Sequence, residues 1–177
     1  MEHIRTTARK IIAAKLQENL TKTQKVYLSR PNPLTLPELP AILIYYKTED
    51  ARSIVGSKNY VKVYERDLQI NIDILIEGCD DPDTTLDEYA LQIEAAFYDD
   101  PLFGGIFNGS MLNQTIPITV EDTGDRNVEC LRLTWTIILE SEGFLRQRLD
   151  EFLIAAGEYK DPNGNRFSIP FNKNVRG

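Results

Sequence analysis

From Asp67 to Glu77 apolar and polar positions alternate: Leu68, Ile70, Ile72, Ile74 and Ile76 interleave with Gln69, Asn71, Asp73, Leu75 and Glu77. Successive side chains of a β-strand point to opposite faces, so this spacing predicts a long strand with one apolar and one mostly polar face. Four of the five inward residues are Ile, whose branched Cβ packs well on a pleated surface. Tyr60, Lys62, Tyr64 and Arg66 continue the alternation upstream and allow an earlier start. Such a strand needs neighbours on both edges and helices over its apolar face.

The flanking sequence predicts both. Ile4, Ala8, Ile11, Ile12, Leu16 and Leu20 recur at helical spacing, with Arg5, Arg9, Lys10 and Gln17 opposite, which gives a basic amphipathic helix over 3–20. Its apolar stripe lacks bulky aromatics, so it suits a sheet better than a membrane. Four prolines within Ser29–Pro40 predict an extended connector that is neither helix nor central strand. Ala41–Tyr46 then reads as a short inner strand, and 47–59 as a polar loop. After the long strand, Gly78–Thr84 is turn chemistry. Thr85 and Glu88 have capping-box spacing for a helix whose stripe is Leu86, Tyr89, Ala90, Ile93, Ala96 and Phe97.

Leu102–Ser110 reads as a Gly-rich bend. Met111–Glu121 and Val128–Glu140 predict a hairpin about Asp122-Thr123-Gly124-Asp125. Leu112, Ile116, Ile118 and Val120 are expected to share one face of the first strand. Leu131, Leu133, Trp135, Ile137 and Leu139 are expected on one face of the second, with Arg132, Thr134 and Thr136 behind them. The order of elements predicts an α+β domain over 1–140: a mixed or antiparallel sheet of four to five strands with two helices on one face. Residues 141–177 read as an extension. It comprises a helix carrying Phe144, Leu145, Leu149, Phe152, Leu153 and Ala156, a turn at Asp161-Pro162-Asn163-Gly164 between two short strands, and a polar tail.

Charge adds a polarity that the periodicity hides. The net charge is −7, yet Asp67–Asp125 contains fourteen acidic residues and no Lys or Arg, leaving 20 basic against 13 acidic residues elsewhere. Such a block repels phosphate, which argues against a nucleic-acid-binding protein. A bipolar chain suits head-to-tail contact between identical subunits, although a plain solvated acidic surface fits the charge equally well. No run of about 18 apolar residues exists, so no membrane-spanning helix is expected. The charged N-terminus lacks a signal-peptide pattern, and Cys79 and Cys130 suggest no disulfide framework, so cytoplasmic folding is expected.

Candidate chemistry is sparse. His3 is the only histidine, which removes most nucleophilic triads and His-rich metal sites. Gly104–Met111 has no Lys before Ser110 and fails as a phosphate loop. Asp80, Asp81, Asp83 and Asp87 could offer oxygen ligands to a hard cation, but Pro82 interrupts the pattern and a solvated helix cap reads better. Glu121, Asp122 and Asp125 lie at a turn, where solvent keeps carboxylates ordinary. No catalytic residue, metal site or cofactor is therefore assigned.

The ordered features then form a pattern: a basic N-terminal helix, a Pro-rich connector into Leu39-Pro40-Ala41-Ile42-Leu43-Ile44-Tyr45, and the long Arg66–Glu77 strand. An acidic turn, the Leu86–Phe97 helix and a hairpin ending in Leu133-Thr134-Trp135-Thr136-Ile137 follow. Over residues 1–140 this resembles the tail terminator proteins of long-tailed bacteriophages, the lambda U-like minor tail proteins. The resemblance implies a structural virion protein without a catalytic site, a homohexameric ring that caps the tail tube, ends its polymerisation and presents the head–tail joining surface. It implies contact with the tail tube protein and a head-completion or connector protein, with sheath or collar proteins as further neighbours. DNA would pass through the lumen without specific binding.

Within that ring, Gln69, Asn71 and Asp73 are expected to face the lumen. Arg5, Arg9 and Lys10 are expected to meet Asp80, Asp81 and Asp83 at the subunit interface. Phe144, Leu149, Phe152, Phe167 and Phe171 are expected to contact a neighbouring protein. The alternatives are another neck or head-completion protein of the same virion and a metal-dependent hydrolase using the acidic cluster.

Overall fold

The computed structural model describes residues 2–23, 25–29, 34–54, 63–119, 128–142, 159–160 and 166–167. In chain order the elements are α1 (Ile4–Asn19), β1 (Val26–Leu28), a 3₁₀ turn (Leu36–Glu38), β2 (Ala41–Ile54) and β3 (Val63–Glu77). These are followed by α2 (Pro82–Asp99), β4 (Gly109–Thr119), β5 (Val128–Glu142), β6 (Tyr159–Lys160) and β7 (Arg166–Phe167). The fold is α+β, and the chain divides into two units, Met1–Arg52 with Glu65–Ser141, and Ser53–Tyr64 with Glu142–Gly177. In the second unit β6 and β7 pair antiparallel, Tyr159 opposite Phe167, as the turn signal between them predicts.

The first unit holds a five-stranded mixed sheet in the order β1-β2-β3-β5-β4. β1 runs parallel to β2 and β4 antiparallel to β5. Side-chain rungs give the remaining directions. Tyr45 meets Asp73, Thr48 meets Gln69 and Arg52 meets Asp67, so β2 and β3 are antiparallel. Asp73 meets Arg132 and Asn71 meets Thr134, so β3 and β5 are too.

The alternation of β3 is realised as expected. Leu68, Ile70, Ile72, Ile74 and Ile76 are buried in one core with Ile42 and Ile44 of β2 and Leu131, Leu133, Trp135, Ile137 and Leu139 of β5. Burying each large aliphatic chain stabilises the fold by about 1.5–3 kcal/mol. α1 contributes Ala8, Ile12, Ala13 and Leu16, and α2 contributes Leu86, Tyr89, Ala90, Ile93, Ala96 and Phe97. The Phe97 ring stacks on Trp135 at 3.9 Å, and Phe103 sits edge-on to Phe97 at 4.9 Å. The indole Nε1 of Trp135 is buried with no hydrogen-bond partner among the described residues, so stacking rather than a polar contact holds it.

Several expectations require correction. Residues 47–54 are not a loop but the outer half of β2, a mostly exposed stretch that can be polar and still hydrogen-bond to its neighbour, and 55–59 of the expected loop lie outside the described residues. β1 escaped notice because three residues carry no readable period. The Pro-rich connector includes a 3₁₀ turn: Pro37 occupies a position whose N–H has no helical partner, and the Glu38 carboxylate accepts from Thr35 N and Oγ1, both at 2.7 Å. α2 begins a turn earlier than the Thr85 cap predicted. Asp81 is its N-cap, accepting from Thr84 N at 3.2 Å, and Thr85 instead donates to Asp81 O.

β4 holds the most consequential correction. Its register slips between Leu112 and Gln114, leaving Asn113 as the extra residue of a bulge. Leu112 lies opposite Trp135 on the core face, whereas Ile116 and Ile118 lie opposite Arg132 and Cys130 on the other face. The three residues therefore do not share a face. Between α2 and β4, Phe103, Gly104 and Gly105 all adopt positive φ, and Gly104 N donates to the Asp100 carboxylate. The two glycines meet that geometry without a Cβ clash, while Phe103 has its strain offset by burying its ring.

The extension residues Phe144, Leu149, Phe152 and Phe171, the turn acids Glu121, Asp122 and Asp125, and Val120 lie outside the described residues. Of Phe167 only the strand position is described. Among the described residues no helix is long and apolar enough to cross a membrane.

Candidate interaction surfaces and the buried polar rungs

The face of the sheet turned away from α1 and α2 is built from rungs of side chains. Arg132 Nε and Nη2 donate to Asp73 Oδ1 and Oδ2 at 2.7 and 2.8 Å, a bidentate pair, and Tyr45 OH donates to Oδ2 at 2.7 Å. Thr134 Oγ1 donates to Asn71 Oδ1 at 2.9 Å, Thr48 Oγ1 to Gln69 Oε1 at 3.1 Å, and Asn113 Nδ2 to Thr136 Oγ1 at 2.8 Å. Asn71, Asp73, Thr134 and Thr136 are all buried. Asn71 and Asp73, expected along a lumen, thus keep almost no surface of their own. Gln69, half-buried, is the one of the three that retains exposure.

These rungs pair each buried polar group with a partner across the sheet. Burial, reinforced by the Asp73 charge, pushes the Cys130 thiol up to about 12, so it stays protonated near neutrality. Burial and then the hydrogen bond to Asp73 raise the Tyr45 phenol well above its ordinary value. The Arg132 guanidinium is raised chiefly by its bond to Asp73. Near neutral pH Cys130 and Tyr45 therefore both keep their protons.

On the helix-covered side, Glu49 joins three elements. Its carboxylate, 8% exposed, lies 2.9 Å from Arg5 Nε of α1 and pairs with Arg66 Nη1 of β3. The Arg5 contact is an ion pair by distance, without hydrogen-bond alignment. Arg66 also donates to Ser141 of β5. Arg5 lies 5.1 Å above the Tyr46 ring, so Tyr46 and Glu49 face the same helix although three residues apart, while Tyr45 and Thr48 face away. Strict alternation cannot do this, so β2 slips by one residue near Lys47. Beside this bridge His3, Arg5, Thr6, Arg9, Ser29 and Tyr46 line a pocket of about 350 Å³. Arg9 Nη1 donates to Ser29 Oγ, and Ser29 has φ 41°.

The expected interface residues are distributed unevenly. Lys10 is paired with Glu2 at 2.6 Å, Arg5 with Glu49, and Asp81 caps α2. Asp80 and Asp83 are exposed. Much of the charge asymmetry is met within the chain: Lys15 pairs with Asp100, Lys22 with Glu88, Arg52 with Asp67 and Arg132 with Asp73. Among the described residues no three His, Cys, Asp or Glu side chains converge as metal ligands. Sequence reasoning missed Tyr45, Ser29 and Tyr46. Tyr45 lies in a strand the sequence predicts, but its place beside Asp73 follows only from the strand order.

No family model matches the chain, and no curated protein matches it.

Proposed function

We propose that the chain is a structural virion protein, a tail terminator that assembles as a homohexameric ring on the end of a phage tail tube, stops its growth and offers the joining surface for the head. One observation carries the reading: the first unit is a layered α+β domain whose elements follow the order of the resemblance, from α1 through β2, β3, the acidic turn and α2 to the β4–β5 hairpin. Its proposed partners are further copies of itself, the tube protein and a head-completion or connector protein, with sheath or collar proteins beyond. DNA crosses the lumen without specific binding.

The internal ion pairs are compatible with ring closure. Solvent-exposed pairs such as Lys10–Glu2 and Lys22–Glu88 are each worth about 0–1 kcal/mol, so exchanging them for contacts between subunits costs little. Electron microscopy of the purified protein, alone and mixed with tail tubes, tests the proposal. Six-fold rings seated on tube ends are expected. Rings on connector ends would transfer the assignment to a neck protein, and metal-dependent hydrolysis without rings would replace it with an enzyme.

A further inference from the structure

α1 and α2 lie side by side, antiparallel, and the contacts between them identify which flank of each helix faces outward. Thr21 N donates to Gln92 Oε1 at 2.9 Å, Lys22 pairs with Glu88, and Lys15 Nζ reaches Asp100 at 3.5 Å. Glu88 and Gln92 therefore mark the side of α2 nearest α1. At 100° per residue, Asp83, Asp87, Leu91, Glu94 and Tyr98 form a stripe on the opposite flank. Leu91 and Tyr98 are 69% and 64% exposed, the two most exposed large hydrophobic residues among those described, and three carboxylates accompany them. On α1, Lys15 marks the side nearest α2, whereas Arg9 reaches Ser29 beyond β1 on the other side. That side carries the pocket of His3, Arg5, Thr6, Arg9, Ser29 and Tyr46.

The helical layer thus has an acidic, apolar-centred flank and a basic, concave flank pointing in opposite directions. We infer that these flanks are the two halves of one heterologous contact, with the Asp83–Tyr98 stripe of one copy seated on the Arg5–Arg9 pocket of the next. The inference rests on the ring reading and names the surfaces that would close the ring. Two different patches on opposite sides of a subunit are what a closing rotation requires. Opposite charge selects a second copy as the occupant, because the stripe lies within a 59-residue run free of Lys and Arg, while in the pocket Arg9 has no ion pair among the described residues and Arg5 shares Glu49 with Arg66. The pocket volume is at the small end of the range for binding pockets, about 300–1,000 Å³. Tyr98 also offers a ring face to a guanidinium.

Sedimentation velocity of the full chain, with tube ends present where the free protein does not assemble, provides the test. Arg9→Glu and Leu91→Asp should each weaken self-association by about tenfold or more, as losses at the centre of an interface do. Because Leu91 is exposed, Leu91→Asp should keep the wild-type far-UV circular dichroism, so its effect reads assembly rather than folding. An equimolar mixture of the two variants retains one intact flank pair and should stop at dimers. Wild-type rings that persist in both variants would overturn this inference and leave the ring intact. A mixture that forms full rings would overturn the heterologous pairing. A wild-type chain that stays monomeric both alone and on tubes would overturn the ring and this contact together.

Discussion

The two faces of β3 are both buried, but by different means. Ile70, Ile72 and Ile74 are held by contact with many apolar atoms, none of them individually required. Asn71 and Asp73, one residue away on the other face, are held by a few directed bonds to Thr134, Arg132 and Tyr45. The first kind of burial tolerates a change of shape and no change of polarity. The second tolerates a coordinated exchange of partners and no loss of a single one. This contrast also explains why the apolar face could be read from one strand while the polar face could not.

The largest break in the contrast is Ile72→Asp. An unpaired carboxylate in the fully buried row should destabilise the domain by about 4 kcal/mol or more, enough to abolish a cooperative unfolding transition. Ile72→Val at the same site should cost about 1 kcal/mol, measured by urea denaturation.

Next comes the polar face. Asp73→Ala strands Arg132 and should cost about 2–4 kcal/mol, because losing one partner leaves the other's charge partly buried and unmatched. The pair Asp73→Leu with Arg132→Met should recover most of that loss. If the double variant is as unstable as Asp73→Ala, the face depends on the ion pair itself rather than on matched partners.

The smallest effect is on pH. The folded state raises Cys130 from 9.0 to about 12 and raises Tyr45 above its ordinary 10.0. A raised acid group gives its full contribution below its unfolded pKa and loses it as pH climbs toward the folded value. Stability should therefore decline from about pH 9 upward, as the unfolded chain ionises first. Tyr45→Phe and Cys130→Ala should each flatten that decline in denaturation midpoints compared at about pH 8 and about pH 10.5. A slope unchanged in both variants would place the titrating groups elsewhere.

The core was legible because it follows from period alone. Every residue of the α2 stripe, Leu86 through Phe97, is buried, as are the alternate residues of β3 and of β5. The polar outer half of β2 is not legible because polarity by itself predicts a loop, whereas backbone pairing with β3 needs no apolar side chain. The face of Ile116 and Ile118 was misread because a single bulged residue at Asn113 inverts every position after it.

The sequence by itself determined which residues could be removed from water together, since helical and strand periods are local properties of the chain. It also determined the charge asymmetry, which is a count. Only the tertiary structure decided that Asp73 meets Arg132 across 59 positions, that Lys15 and Lys22 satisfy acids of α2, and that Arg9 and Leu91 lie on opposite flanks. These are pairings between distant segments. They depend on strand order, register and the bulge, and no local pattern encodes which strand lies next to which.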